Sequence, residues 1–371
     1  KVLRSPHAHA RIKSIDTSAA ESLSGVKAVI TSADLPDHAF AYVGPERVAV
    51  NFHHVTRNIM AREKALYEGH AIAAVAATTP EIADEAMRLI KIDFEVLPHV
   101  IDVMKAAAPN APLLHEDMIT RGVEPAPTKP SNVSKVVNFG IGDVEVGFAA
   151  ADEIVEMEFD TAAVHQGYIE PHACTARYNE DGQGEIWSSS QGHFVVRALT
   201  AKLTGMRAAD LRVYPAEIGG GFGGKTVVYL EPLALMLSKK AGQAVRAVMT
   251  RDEVFKASGP TSGGAMTIKI GCTKGGKITA AEGSYYIQAG AFPGSPVINC
   301  CLCCFAPYDI ENQKAVGYDV VSNRPKAAAY RAPGSPISAF GVESVLDILA
   351  KKIGMGPLEF RRKNGAVEGS K

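Results

Sequence analysis

Gly219-Gly220-Gly221-Phe222-Gly223-Gly224-Lys225-Thr226 is the stretch on which the fold and the function turn. Five glycines in six positions turn tightly and bare their amide hydrogens, so an oxygen-rich anion can approach the backbone. Residues 211–218 before the stretch read as a strand, and residues 227–240 after it as a helix. Strand, glycine turn and helix start together make an anion cradle. Three explanations compete for it. Residues 219–226 satisfy the pattern G-x-x-x-x-G-K-[ST], in which Lys225 reaches nucleotide phosphates and Thr226 a magnesium ion. A larger organic cofactor, with a phosphate arm or a metal centre, is the second. A turn that is glycine-rich only for close packing is the third, and the matching flanks count against it.

Composition narrows the field. A chain of 371 residues is long enough for roughly two or three domains. A formal net charge of −1 offers no general attraction to nucleic acid or membrane, and no apolar run is long enough to span a bilayer. The opening Lys1-Val2-Leu3-Arg4-Ser5-Pro6 lacks Met and any secretory signal, so it reads as the inside of a longer polypeptide. Four of the six cysteines form Cys300-Cys301-Leu302-Cys303-Cys304. No partners are spread along the chain as a secreted scaffold needs, which implies a reduced, cytoplasmic setting. The cluster does not match the spaced pairs of zinc or iron–sulfur sites, so these cysteines are expected to pack.

Patterning predicts an α+β fold. Strands are expected at 26–31, 71–77 and 90–96, and a helix at 82–89 opened by the Thr79 cap and Pro80. This first unit ends near residue 105. Residues 106–132, with Pro109, Pro112, Pro125, Pro127 and Pro130, read as a surface linker. Further strands are expected at 153–161, 173–178, 185–189 and 244–249, and Met266, Ile268 and Ile270 alternate as in a half-buried strand. A helix at 194–203 is predicted to turn Val195, Leu199 and Leu203 inward and to stop at Gly205. A last helix at 337–352 is predicted to bury Ile337, Phe340, Val345, Ile348 and Leu349.

Four patterns occur in one order: Gln191-Gly192 after a strand, residues 219–225, Ala329-Tyr330-Arg331-Ala332-Pro333-Gly334, and Pro357-Leu358-Glu359-Phe360-Arg361-Arg362-Lys363-Asn364. With Arg4-Ser5-Pro6-His7-Ala8-His9-Ala10-Arg11-Ile12 and Ile169-Glu170-Pro171, they resemble the molybdenum-binding subunit of the xanthine dehydrogenase and aldehyde oxidase family, over nearly the whole chain. The resemblance implies a hammerhead-type α/β domain at 1–105, a linker at 106–132, and the first of two molybdopterin-binding domains at 133–371. It implies a molybdenum–molybdopterin cofactor, in a dinucleotide form. Gln191, Gly192, Gly220, Gly221, Phe222, Gly223, Ala329 and Arg331 would hold that group. Gln191 would hydrogen-bond an oxygen ligand of the metal. Phe222 and the neighbouring amides would line its apical side, and Arg331 with its loop would complete the shell. Donors in a dry pocket stabilise a strong acceptor, and they tune the metal rather than ligate it. No side chain is expected to bind the metal directly.

The implied reaction is oxidative hydroxylation of a carbon next to nitrogen or oxygen, with water as oxygen source. Iron–sulfur clusters and FAD on partner subunits or domains would carry the electrons away. The family's general base is a glutamate of the second molybdopterin-binding domain, expected beyond Asn364, so no catalytic side chain is assigned here and the chain alone should be inactive. Glu170 stands where the family implies a buried, structural residue. Thr226, Asn299 and Pro333 are the candidate substrate positions. Purine-specific relatives place a glutamate, an arginine and a ring-stacking aromatic there, and Arg to Asn removes a charged planar fork. Ala332 stands where carbon-monoxide-oxidising relatives have cysteine. An aldehyde or an N-heterocycle fits better than a purine.

The remaining signals read as structural. His165, His172 and His193 fit no helical ligand spacing and are expected to be ordinary hydrogen-bonded histidines. His7 and His9 are placed in a strand. Lys225 reads either as a surface lysine at a helix start or, because its charge opposes the helix dipole there, as a lysine with a bound anion or a constrained role. Two rival functions remain. A nucleotide-binding protein built on residues 219–226 needs an acidic strand end for magnesium, but Thr250 and Arg251 precede Asp252 and Pro232 falls inside the expected helix. A cofactor-free assembly subunit would only dock partners.

Overall fold

A computed structural model describes residues 1–43 and 50–370. Residues 44–49, inside the expected first domain, and Lys371 lie outside the described residues. The chain forms two compact units, each assembled from separated segments. The first comprises Lys1–His99, His165–Pro260 and Asn323–Tyr330, and the second comprises Val100–Val164, Thr261–Ser322 and Arg331–Lys371.

In the first unit, Ala71–Ala77 is the central strand of a three-stranded antiparallel sheet between Val2–Arg4 and Val26–Thr31. Its small and β-branched side chains are buried on both faces, which explains the unbroken apolar run. Thr79 Oγ1 accepts the Ile82 N–H at 3.3 Å and Pro80 occupies the first turn, so the helix Pro80–Leu89 starts where its caps dictate. A second sheet pairs Ala10–Asp16 with Lys64–Ala65 and Lys91–Val96. His7 and His9 lie in the bend between Val2–Arg4 and Ala10–Asp16, not in a strand. His9 is buried there with Nδ1 2.7 Å from the Pro98 carbonyl.

A third sheet carries the candidate site. Its strands run in the order Leu211–Pro215, Gly184–Ser188, Ala173–Tyr178, Val245–Val248. Ile186, Ala176 and Cys174 turn inward on one face, where helix Glu231–Ala241 contributes Leu233, Leu235 and Leu237 to the same core. Gly184–Ser188 and Leu211–Pro215 are parallel, and the helix His193–Thr204 is the crossover such a pair requires. That helix buries Val196, Thr200, Ala201 and Leu203, while Phe194 and Val195 face outward, a rotation from the expected stripe. Small Thr200 and Ala201 let the helix lie close, and a count of large apolar residues alone misses them. The helix after the glycine stretch starts at Glu231 rather than at 227. Pro232 therefore sits in the first turn, where its missing N–H has no helical partner to lose.

The second unit is built on five strands in the order Glu153–Thr161, Gly264–Cys272, Ile278–Gly290, Gln313–Val321, Val133–Ile141. Only the Ile278–Gly290 and Gln313–Val321 pair is parallel among these. Met266, Ile268 and Ile270 are buried as their alternation predicts, against helix Ser335–Lys352. Gly341 sets that helix's rotation, because a Cβ there would come within 2.8 Å of Met266 Sδ. The buried face is therefore Val342, Val345, Leu346 and Leu349, and Phe340, expected inside, is half-exposed. Cys300, Cys301 and Cys304 pack beside Tyr285, and burial pushes the Cys301 and Cys304 thiols up to about 12. Protonated, packed thiols fit the expected core role. In the proline-rich stretch, Leu114 and Met118 are buried, and Asn132 Oδ1 accepts the Leu114 N–H at 3.1 Å.

Candidate cofactor cradle

Ser188 is in register with Pro215 at the ends of the two parallel strands. The turn at Gln191 and the glycine loop therefore leave the sheet side by side, the usual place for a ligand in such sheets. The fit between them is too tight for side chains. A Cβ at Gly221 would lie 2.6 Å from Gln191 Oε1, one at Gly223 2.6 Å from the Ala329 carbonyl, and one at Gly224 2.9 Å from Tyr168. Phe222 takes φ of 52°, a left-handed conformation that costs a non-glycine residue about 1 kcal/mol or more and clusters at functional sites.

Gln191 is fixed by its accepting end. Its Oε1 accepts the Gly223 N–H at 2.8 Å and the Lys225 N–H at 3.2 Å. Two donors at one end identify it as the oxygen, so the NH2 is the end left to donate outward. The backbone joins in: Gln191 N–H donates to the Lys225 carbonyl at 2.9 Å, and the Ser190 hydroxyl donates there at 3.1 Å. Gly192 N–H donates to Ser190 Oγ at 3.1 Å, and as N-cap of the helix His193–Thr204 Gly192 accepts the Val196 N–H on its carbonyl at 2.9 Å. Gln166 Nε2 donates to the Ala329 carbonyl at 2.8 Å, which ties residues 323–330 to the loop. Gln191, Gly192, Gly220, Gly221, Phe222, Gly223 and Ala329 thus gather in the first unit. Arg331, Asn299 and Pro333 belong to the second, where the loop before helix Ser335–Lys352 places Ala332 at φ 57°. A Cβ at Gly334 would lie 2.6 Å from the Pro296 carbonyl and 3.3 Å from the Asn299 Cβ, so Gly334, next in the chain to Pro333, packs against residues 296–299.

The charges are placed differently from expectation. Lys225 is 1% exposed, not a surface lysine, and its Nζ donates to Glu170 Oε2 at 2.7 Å. Glu170 is structural but about a third exposed (32%), not buried. Burial raises its pKa, but the Lys225 ammonium and the Gly219 N–H outweigh that and hold the carboxyl below its ordinary range. Thr226 Oγ1 donates to the Gly223 carbonyl at 2.8 Å. The two side chains that a nucleotide would need are therefore both committed, Lys225 to Glu170 and Thr226 to the loop backbone, and helix Glu231–Ala241 begins too late to aim its N-terminus at a phosphate.

The histidines behave as hydrogen-bonded structure. His165 Nδ1 accepts the Gly167 N–H at 3.1 Å, so Nε2 carries the proton toward Ser258 Oγ at 2.9 Å. Tyr168 Oη lies 2.5 Å from His172 Nε2, and His193 Nε2 3.2 Å from the Ser188 carbonyl. Burial lowers His165 to about 4 and His172 to about 3, so both are neutral near pH 7. Gln166 and Tyr168 form the floor of the loop. Sequence reasoning missed them, and their only signal was the short His165-to-Pro171 turn. Among the described residues, no group of three or more His, Cys, Asp or Glu could hold a metal ion.

A cramped glycine turn thus lies against an amide side chain locked by its oxygen, above a paired Glu170 and Lys225. The chain matches the family model of the molybdopterin cofactor-binding domain over residues 126–365, and that of the aldehyde oxidase and xanthine dehydrogenase a/b hammerhead domain over residues 1–98. It belongs to this family of molybdopterin-dependent oxidoreductases. A probable xanthine dehydrogenase subunit of Bacillus subtilis is 32% identical over 368 residues, covering 98% of this chain and 46% of that protein. The nicotinate dehydrogenase large molybdopterin subunit of Eubacterium barkeri is 29% identical, covering 100% of this chain and 83% of that one. The structure of aldehyde oxidoreductase from Desulfovibrio gigas superposes with a TM-score of 0.88 at 29% identity, over 100% of this chain and 40% of that one. The chain thus spans about half the length of the Bacillus relative, 46% of it.

Proposed function

We propose that this chain supplies one half of the molybdenum cofactor site of a molybdenum hydroxylase acting on an aldehyde or an N-heterocycle. The observation that carries this reading is the locked Gln191 amide, with both loop N–H groups on its oxygen. When bound, the molybdenum–pterin group supplies two-electron redox chemistry that brings an oxygen atom from water into the substrate. The residues of the chain do the rest. Gln191 donates its NH2 to an acceptor oxygen of the cofactor. Gly220 and Gly221 present N–H groups without a Cβ in the way, while Gly192 and Gly223 give theirs to Ser190 Oγ and Gln191 Oε1 and so hold the turn beside the cofactor. Phe222 keeps water from the same face, and Ala329 sets the spacing of the loop. Arg331 adds a cation toward the cofactor's anionic parts.

Residues 1–105 form the hammerhead domain in this reading, 106–132 the connection and 133–371 the first cofactor-binding domain. Thr226, Asn299 and Pro333 line the substrate. With threonine, asparagine and proline there, no arginine or glutamate grips a purine and no aromatic ring stacks on it. The cofactor carries a dinucleotide tail. A second molybdopterin-binding domain brings the glutamate base, and iron–sulfur and FAD partners in the cytoplasm take the electrons. Metal and pterin analysis of the purified complex tests this. Molybdenum and pterin in near-equimolar amount with the chain are expected. Their absence would sink the proposal, and ATP-dependent turnover would revive the nucleotide alternative.

A further inference from the structure

A turn made of glycines holds no shape by itself, because nothing on it can pack. Phe222, at φ 52°, nevertheless stays in a conformation that only a surrounding framework sustains. The Glu170–Lys225 pair is that framework. Glu170 Oε2 accepts the Lys225 ammonium at 2.7 Å and the Gly219 N–H at 2.8 Å, so one oxygen joins the first residue of the loop to the seventh. Lys225 holds the other side through its backbone, its N–H on Gln191 Oε1 and its carbonyl under the Gln191 N–H. The lysine therefore ends one clamp with its side chain and begins another with its main chain. The lysine is 1% exposed and its ammonium lies 5.0 Å from the centre of the Tyr168 ring, against which Gly224 also presses. A cation in such a place needs its carboxylate.

We propose that Glu170 and Lys225 are positioning residues: their ion pair clamps the glycine loop at both ends and so sets the direction in which Gln191 presents its amide. This rests on the reading of the loop as the cofactor cradle. It also removes Lys225 from the set of ligands, since its charge serves the loop from beneath rather than an incoming anion.

The test compares Glu170→Gln, Lys225→Gln and Lys225→Arg in the complete enzyme. Amide hydrogen exchange is followed in peptides covering residues 219–226, together with molybdenum content and the separation of kcat from KM. Both neutral variants are expected to exchange about tenfold faster in the loop, the size of one lost charge-assisted hydrogen bond. Strand Gly264–Cys272 should exchange as in the wild type. Lys225→Arg, which keeps the charge, should restore most of the protection. Molybdenum content should fall, and in the enzyme that does load, kcat should fall more than KM rises. If a neutral single variant fails to fold because a buried charge has lost its partner, the double variant Glu170→Gln with Lys225→Met removes both charges and decides the matter. Faster loop exchange in it supports the clamp. Wild-type exchange with wild-type molybdenum content overturns the proposal alone. A wild-type enzyme without molybdenum overturns the cofactor reading together with it.

Discussion

An amide side chain has one accepting end and one donating end, and Gln191 commits the accepting end to the glycine loop. Gln191→Glu keeps that acceptor but replaces the outward NH2 by an oxygen. We expect the variant to fold normally and to lose roughly 100-fold in kcat, as when one preorganised donor is removed from a reacting centre. Steady-state turnover of the complex checks it, and undiminished kcat would show that the amide donates to nothing. Titration gives a second residue-scale prediction. Burial lowers His172 to about 3 and His70 to about 4. In the unfolded chain each takes up a proton near its ordinary value of about 6.5. Between those values the unfolded state binds more protons, so the stabilisation is complete above pH 6.5 and is lost as pH falls toward 4. Each histidine contributes a slope of about 1.4 kcal/mol per pH unit. Urea unfolding of His70→Gln from pH 6.5 to 4.5 should show a slope shallower by that amount.

Elements meet in this protein where side chains are small. Helix Ser335–Lys352 approaches its sheet at Gly341, and the rotation this imposes leaves Phe340 half-exposed. Gly341→Val would press a branched side chain against Met266 and Ile268, at an expected cost of about 1–3 kcal/mol. A thermal melt unchanged from the wild type would mean that the helix can slide. Local patterns were enough for Ala71–Ala77, for the alternation at Met266, Ile268 and Ile270, and for the capped start of Pro80–Leu89, because neighbouring residues decide each of them. They were not enough for the inward faces of His193–Thr204 and Ser335–Lys352. There the contact is made by Thr200, Ala201 and Gly341, which carry little or no apolar weight in a periodicity count.

At the scale of the whole molecule, the proposed reading gives residues 1–371 a cradle and a hammerhead domain and assigns the base to a second molybdopterin-binding domain. The chain expressed alone should therefore show no turnover with aldehydes or N-heterocycles, and co-expression with the second molybdopterin-binding domain should restore it. Turnover by the isolated chain in a steady-state assay would refute the proposed division of labour. The family and its fold class were legible in the sequence by itself, because short motifs with fixed spacing carry them. Whether Lys225 is a phosphate ligand or a buried strut was not. Its partner Glu170 lies 55 residues away in the chain, and only folding brings that carboxylate within 2.7 Å. Burial and charge pairing are properties of three-dimensional neighbours, so the tertiary structure alone decided what the lysine does.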